Sequence, residues 1–136
     1  MYIYLKKTPY RVSETVFSHP SKLAFMREAR AAGFTVVLLV VCVNDPQQLL
    51  GRVAQRVTEG GHDVPADRIL ARYPRTLQHL QNAIPLADLA FLYDTSGVGR
   101  HGVSGPKLVA RWRDGQWHWL VQRPPVWAKK IQPISL

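Results

Sequence analysis

Five arginines carry the sharpest chemistry this sequence offers. Arg52 and Arg56 are spaced i and i+4; Arg68, Arg72 and Arg75 are spaced i, i+4 and i+7, and His79 continues the second line. On a helix each set shares one face, where like charges repel by roughly 0.2–0.5 kcal/mol per pair. Few acids are spaced to relieve them: Glu59 follows Arg56, and Asp63 and Asp67 lie near the turn. Such a stripe suits phosphate, which a planar guanidinium grips through charge-assisted hydrogen bonds. Between the two sets runs Gly60-Gly61-His62-Asp63-Val64-Pro65. The glycines permit large backbone changes and the proline restarts a helix, as in a lid that closes cations over a transferring phosphoryl group. The same pattern also fits two solvated helix faces, because Arg is a good helix former.

A second group gathers at predicted strand ends. Ser13-Glu14-Thr15 lies toward the end of a first strand, followed by Ser18, His19, Ser21 and Lys22, and Asp94-Thr95-Ser96 ends a later one. In open α/β sheets ligands bind beyond the carboxyl ends of the strands. A carboxylate such as Glu14 there can hold a substrate hydroxyl or a metal-bound water, or simply cap the next helix. His19, His62, His79, His101 and His118 show no metal-site spacing. Cys42, the single cysteine, lies in an apolar run, which precludes a disulfide within the chain and fits a reducing cytoplasm.

The elements that must position these residues follow from the pattern. Tyr10 to Phe17 reads as a strand, with Ser18 or His19 capping a helix that has Pro20 in its first turn, an apolar face of Leu23, Met26, Ala29 and Ala32, and a stop at Gly33. Phe34 to Val43 is an unbroken apolar, β-branched run, the habit of a parallel-sheet strand buried on both faces. Asp45 caps and Pro46 starts the next helix, which Gly60-Gly61 breaks. Pro65 opens another, interrupted or kinked at Pro74 and continuing through Leu77, Leu80 and Ile84. Asp88 to Tyr93 is a further buried strand, and Gly97 to Gly105 a loop. Lys107 to Gln122 is a hairpin around a type I′ turn at Asp114-Gly115, pairing Arg113 with Gln116, Trp112 with Trp117 and Ala110 with Trp119. The remainder, with Pro124, Pro125 and Pro133, reads as irregular. The fold class is therefore α/β, a parallel sheet with flanking helices plus a C-terminal β-hairpin, in one domain over residues 1–136.

Composition agrees with one packed domain. Apolar residues make up 46% and charged residues 20% of the chain, which excludes wholesale disorder. The formal charge is +9, and twelve of the 18 basic residues are Arg, which favours an anionic partner. Val36 to Val43, the longest apolar run, is too short to span a bilayer, so no membrane partner is expected; nor does Met1 to Leu5 read as a signal peptide.

Taken together, these residues resemble the zeta-toxin-like P-loop kinases. Glu14-Thr15-Val16-Phe17-Ser18 followed by a helix, then Ala31-Ala32-Gly33-Phe34 and a buried strand, is similar to the middle of that family. Arg52-Val53-x-x-Arg56-Val57-x-x-Gly60-Gly61-His62-x-Val64-Pro65, with Arg72-Tyr73 and Arg75, resembles its arginine-bearing lid, and Ala87-Asp88 with Tyr93-Asp94-x-Ser96 its following strand. The resemblance covers residues 8–96 and leaves the glycine loop, Trp-rich hairpin and tail of 97–136 outside. It implies a P-loop fold and ATP- and Mg²⁺-dependent phosphorylation of a small molecule, for the toxins an amino-sugar nucleotide. It assigns Arg56, Arg68 and Arg72 as catalytic, phosphate-gripping residues. Glu14, Thr15, Ser18, Arg52 and Arg75 would serve the substrate, and Asp94 and Ser96 the nucleotide. The implied partners are a small-molecule phosphoryl acceptor and an antitoxin or a second copy of the chain.

The family's phosphate loop, G-x-x-x-x-G-K-[ST], does not occur in this chain, and its acidic base lies upstream of the resembling stretch. The family pattern thus predicts an upstream extension and, in this chain alone, an inactive kinase. The missing strand should leave a seam in the sheet, filled by residues 1–7, closed by a second copy, or left open at the expense of stability. Two alternatives stand beside the kinase: a non-catalytic descendant that binds a phosphorylated ligand or a protein, and a basic nucleic-acid module using the aromatics beside Arg111, Arg113 and Arg123.

Overall fold

A computed structural model describes residues 2–6, 11–14, 19–61, 65–97 and 105–134. Its elements run β1 (Tyr2–Lys6), β2 (Arg11–Glu14), α1 (Ser21–Ala31), β3 (Thr35–Cys42), α2 (Pro46–Thr58), α3 (Ala66–Ala83), β4 (Leu89–Asp94), β5 (Lys107–Arg113), β6 (Gln116–Trp119) and α4 (Val126–Ile131), with a short 3-10 turn at Ile84–Leu86. The strands form one sheet in the order β2-β1-β3-β4-β5-β6. The α/β class and the hairpin are as expected, but the sheet is mixed. Among the described strands only β3 and β4 are parallel neighbours, and β1 pairs antiparallel with both β2 and β3.

The three strands expected to run the same way do so, because two antiparallel steps through β1 return β2 to the direction of β3. What the pattern did not fix is that residues near the amino terminus lie between them. Tyr2–Lys6 occupies the position between β2 and β3, and the described strands are paired without a gap from Arg11–Glu14 to Gln116–Trp119. Residues 2–6 thus form a strand within the sheet, and no seam is open among the described strands. Of the strand expected over Tyr10 to Phe17, Arg11–Glu14 is described as β2, and the remaining residues lie outside the described set.

The sheet is buried on one face. Along β3, Val36, Leu38, Val40 and Cys42 are buried, whereas Thr35 and Val41 are exposed and Val37 and Leu39 are half-buried. The expectation of two covered faces therefore fails for this strand. The buried row joins Ile3 and Leu5 of β1 and Ala90 and Leu92 of β4 in a single core with Leu23 and Met26 of α1, Leu77 and Leu80 of α3, and Trp127 and Ile131 of α4. Complete burial of each Val or Leu contributes roughly 1.5–3 kcal/mol, so this row is the main stabilising surface. β-branched residues on the other face satisfy strand geometry without needing a cover.

Local signals explain the helices. Asp45 accepts from the Gln47 N–H at 2.9 Å and Pro46 takes the first position of α2. Gly33, at φ 89°, follows the end of α1. The α3 helix runs continuously through Pro74, which is exposed, so its ring meets solvent; the Arg75 Nε donates to the Ala71 carbonyl at 3.3 Å on that turn. The hairpin has the predicted register, and both turn residues have positive φ, 51° at Asp114 and 77° at Gly115, as type I′ requires. Trp112, Trp117 and Trp119 pack against the core. Trp112 donates to the Ala87 carbonyl at 3.2 Å, and Trp117 meets Trp119 edge-on with centroids 5.0 Å apart. The expected irregular tail contains α4, whose Trp127 is 1% exposed.

Gly60 and Gly61 end α2 in a Schellman motif: the Gly60 N–H donates to the Val57 carbonyl and the Gly61 N–H to the Arg56 carbonyl. Gly60 has φ 90°, and a Cβ on Gly61 would lie 2.9 Å from the Arg56 carbonyl oxygen. By contrast, a Cβ on the helical Gly51 meets nothing within 4 Å. Urea denaturation should therefore show Gly51→Ala stabilising by about 0.5–1 kcal/mol. Gly60→Ala should destabilise by about 1–2 kcal/mol.

Candidate functional site

The carboxyl ends of β3 and β4 are tied to α2, α3 and α4 by a polar network. Cys42 and Asp94 are register partners at these ends. The next residue, Thr95, is buried and donates both its N–H and its hydroxyl to the Cys42 carbonyl. Arg52 of α2 forks onto Thr95, donating to Oγ1 at 3.0 Å and to the carbonyl at 2.9 Å. From α3 the Tyr73 hydroxyl reaches the Val43 and Asn44 carbonyls. Both arginine-bearing helices are thus pinned at the sheet edge where α/β proteins bind ligands.

Asp94 is the acceptor that joins the last helix. Its Oδ1 accepts from the Ser96 N–H at 3.2 Å, the Ser96 hydroxyl at 2.7 Å and the Trp127 indole at 2.8 Å. Ser96 Oγ in turn accepts from the Asn44 N–H at 2.9 Å, and the Asn44 side chain accepts from the Trp127 N–H at 3.2 Å. The pair assigned to a nucleotide is therefore engaged inside the protein. Among the described residues no cluster of three His, Cys, Asp or Glu could hold a metal ion.

The other predicted residues divide. Arg56, Arg68 and Arg75 are exposed and Arg72 is half-buried. Among the described residues none of the four forms an ion pair. Arg52 is committed to Thr95, a structural role that the i, i+4 spacing with Arg56 did not reveal. The backbone of Glu14 ends β2; Tyr2 pairs with both Glu14 and Leu39, which sets Glu14 short of the Cys42 end of β3. Thr15, Ser18 and His62 lie outside the described residues. Asp88 binds the start of the sheet: its Oδ2 accepts from the Val36 N–H at 2.8 Å and its Oδ1 lies 3.7 Å from Arg30.

A cleft of about 250 Å³ opens beside Asp94, walled by the start of β5 and the segment leading into α4. Sequence reasoning missed it, because nothing in the spacing of Lys107 and Arg123 along the chain places them beside Asp94. Comparison with family models, with curated proteins and with solved structures gave no match. Among the described residues no helix is long and apolar enough to cross a membrane.

Burial shapes the two strongest titration shifts at this edge. It pushes the Cys42 thiol up to about 11, with a smaller opposing effect from the Val43 backbone. It also raises the Tyr73 phenol, with Cys42, Asp45 and Asp94 adding to the effect. The folded chain holds the thiol neutral while the unfolded chain ionises near its ordinary value of 9.0. Stability present below that value should fall as pH rises from 9.0 to about 11. Urea midpoints across that range should drop less in Cys42→Ala than in the parent. Separately, Asp94→Ala should destabilise by about 1–3 kcal/mol or more, because it leaves the buried Trp127 indole N–H unpaired.

Proposed function

We propose that this chain supplies the substrate-side and arginine-bearing part of a zeta-toxin-like small-molecule kinase. It binds a phosphorylated ligand, a nucleotide sugar being the class that the resemblance implies, and it does not transfer phosphate from ATP by itself. The observation that carries this reading is the pinning of two cationic helices at one sheet edge, α2 by Arg52 on Thr95 and α3 by Tyr73 on the Val43 and Asn44 carbonyls. Arg56 lies one turn beyond the first anchor, and Arg72 is the neighbour of the second.

In this reading Arg56, Arg68 and Arg72 grip phosphate oxygens and Arg75 extends the cationic edge, while Arg52 holds α2 in position. Cations without acid partners are available to an anion, and charge-assisted hydrogen bonds contribute more than neutral ones. Glu14, with Thr15 and Ser18 after it, would contact the acceptor. The absence of G-x-x-x-x-G-K-[ST] from the sequence is the reason that no phosphoryl transfer is expected of the chain alone.

Calorimetric titration with a nucleotide sugar should show binding, and Arg56→Ala or Arg72→Ala should weaken it about tenfold or more. Thermal unfolding of both variants should match the parent, because neither side chain has an ion-pair partner among the described residues. ADP release from ATP should be absent. Equal affinity in variant and parent would reduce the stripe to a solvated face. Strongly salt-dependent binding of single-stranded DNA in place of the nucleotide sugar would favour a basic nucleic-acid module.

A further inference from the structure

The geometry points to a second anion site, separate from the α2–α3 arginines: the cleft beside Asp94 binds a small molecule that carries one phosphate or carboxylate on an apolar or aromatic body. Lys107 and Arg123 supply the charge, and Val109, Val121 and Val126 line the cleft with apolar surface. Its volume, about 250 Å³, falls just below that of drug-sized pockets, which suits a single substituted ring.

The charge balance is what makes this cleft an anion site. Lys107 is the register partner of Asp94 on the adjoining strand, the position from which an ion pair would be expected. No such pair forms among the described residues. Asp94 has turned instead to Ser96 and Trp127, which hold its Oδ1 through three hydrogen bonds. The carboxylate is thereby committed to the fold, and Lys107 forms no ion pair among the described residues. Arg123 likewise has no ion-pair partner among the described residues. Two cations thus share the cleft with one carboxylate that is already hydrogen-bonded and with three valines. A ring would cover the valines while its anionic group bridges Lys107 and Arg123.

Phenyl phosphate is a direct probe, read from amide and indole resonances in a ¹H–¹⁵N spectrum. Saturable shifts are expected at Val109, Val121 and the Trp127 indole N–H, the last because it reports on Asp94. Inorganic phosphate alone should bind at least tenfold more weakly, and benzoate should produce shifts at the same residues. Lys107→Ala and Arg123→Ala should each weaken phenyl phosphate at least fivefold, whereas Arg113→Ala, which removes a cation at the hairpin turn, should leave it unchanged. Lys107 and Arg123 are exposed, so the thermal midpoints should hold; if either alanine variant fails to fold, the Gln variant at that position takes its place. The absence of saturable shifts, or equal affinity in the double variant, would overturn the proposal. Binding lost in Arg72→Ala but kept in the double variant would also overturn it, while leaving the α2–α3 reading intact.

Discussion

Burial of one face of β3 is the constraint on which the rest of the structure depends. Val36, Leu38 and Val40 are fully buried, and helices α1, α3 and α4 build the same core with them. Because strand side chains alternate, fixing that row also fixes which residues of β1 and β4 face the helices. The parallel register between β3 and β4 then brings Cys42 and Asp94 to a common edge. The polar network of the candidate site is arranged around those two strand ends.

At that edge, polar groups are spent on architecture before any ligand is considered. Burying the hydroxyl of Thr95 or the indole N–H of Trp127 without a partner would cost more than a typical hydrogen bond contributes. Arg52, Asp94, Ser96 and Asn44 supply the partners. The consequence is a division of labour between residues of like type. Arg52 is structural where Arg56 forms no ion pair among the described residues, and Asp94 is held by the fold while Lys107, its register partner, forms none there either.

Gly60 and Gly61 show the same economy. Their conformations terminate α2, and the Gly61 N–H satisfies the Arg56 carbonyl. A helix end closed in this way fixes the direction in which the chain leaves the arginines of α2. The glycines are therefore required by the fold itself.

The sequence by itself determined those features that depend on neighbours along the chain. Asp45-Pro46 started α2, Gly33 followed α1, and Asp114-Gly115 set the turn and register of the hairpin, because caps and two-residue turns are local backbone chemistry. The α/β class and the direction of the predicted strands were legible for the same reason, from apolar periodicity. Tertiary structure decided what depends on neighbours in space. An apolar run such as Phe34 to Val43 reads alike whether one face or two are covered, and nothing in Tyr2–Lys6 declares which strands it will lie between. Trp127 looked like part of an irregular tail until Asp94 supplied a buried acceptor for its indole. The candidate cleft was invisible for that reason: strand pairing and the docking of α4 bring Asp94, Lys107 and Arg123 together, and spacing along the chain carries no trace of it.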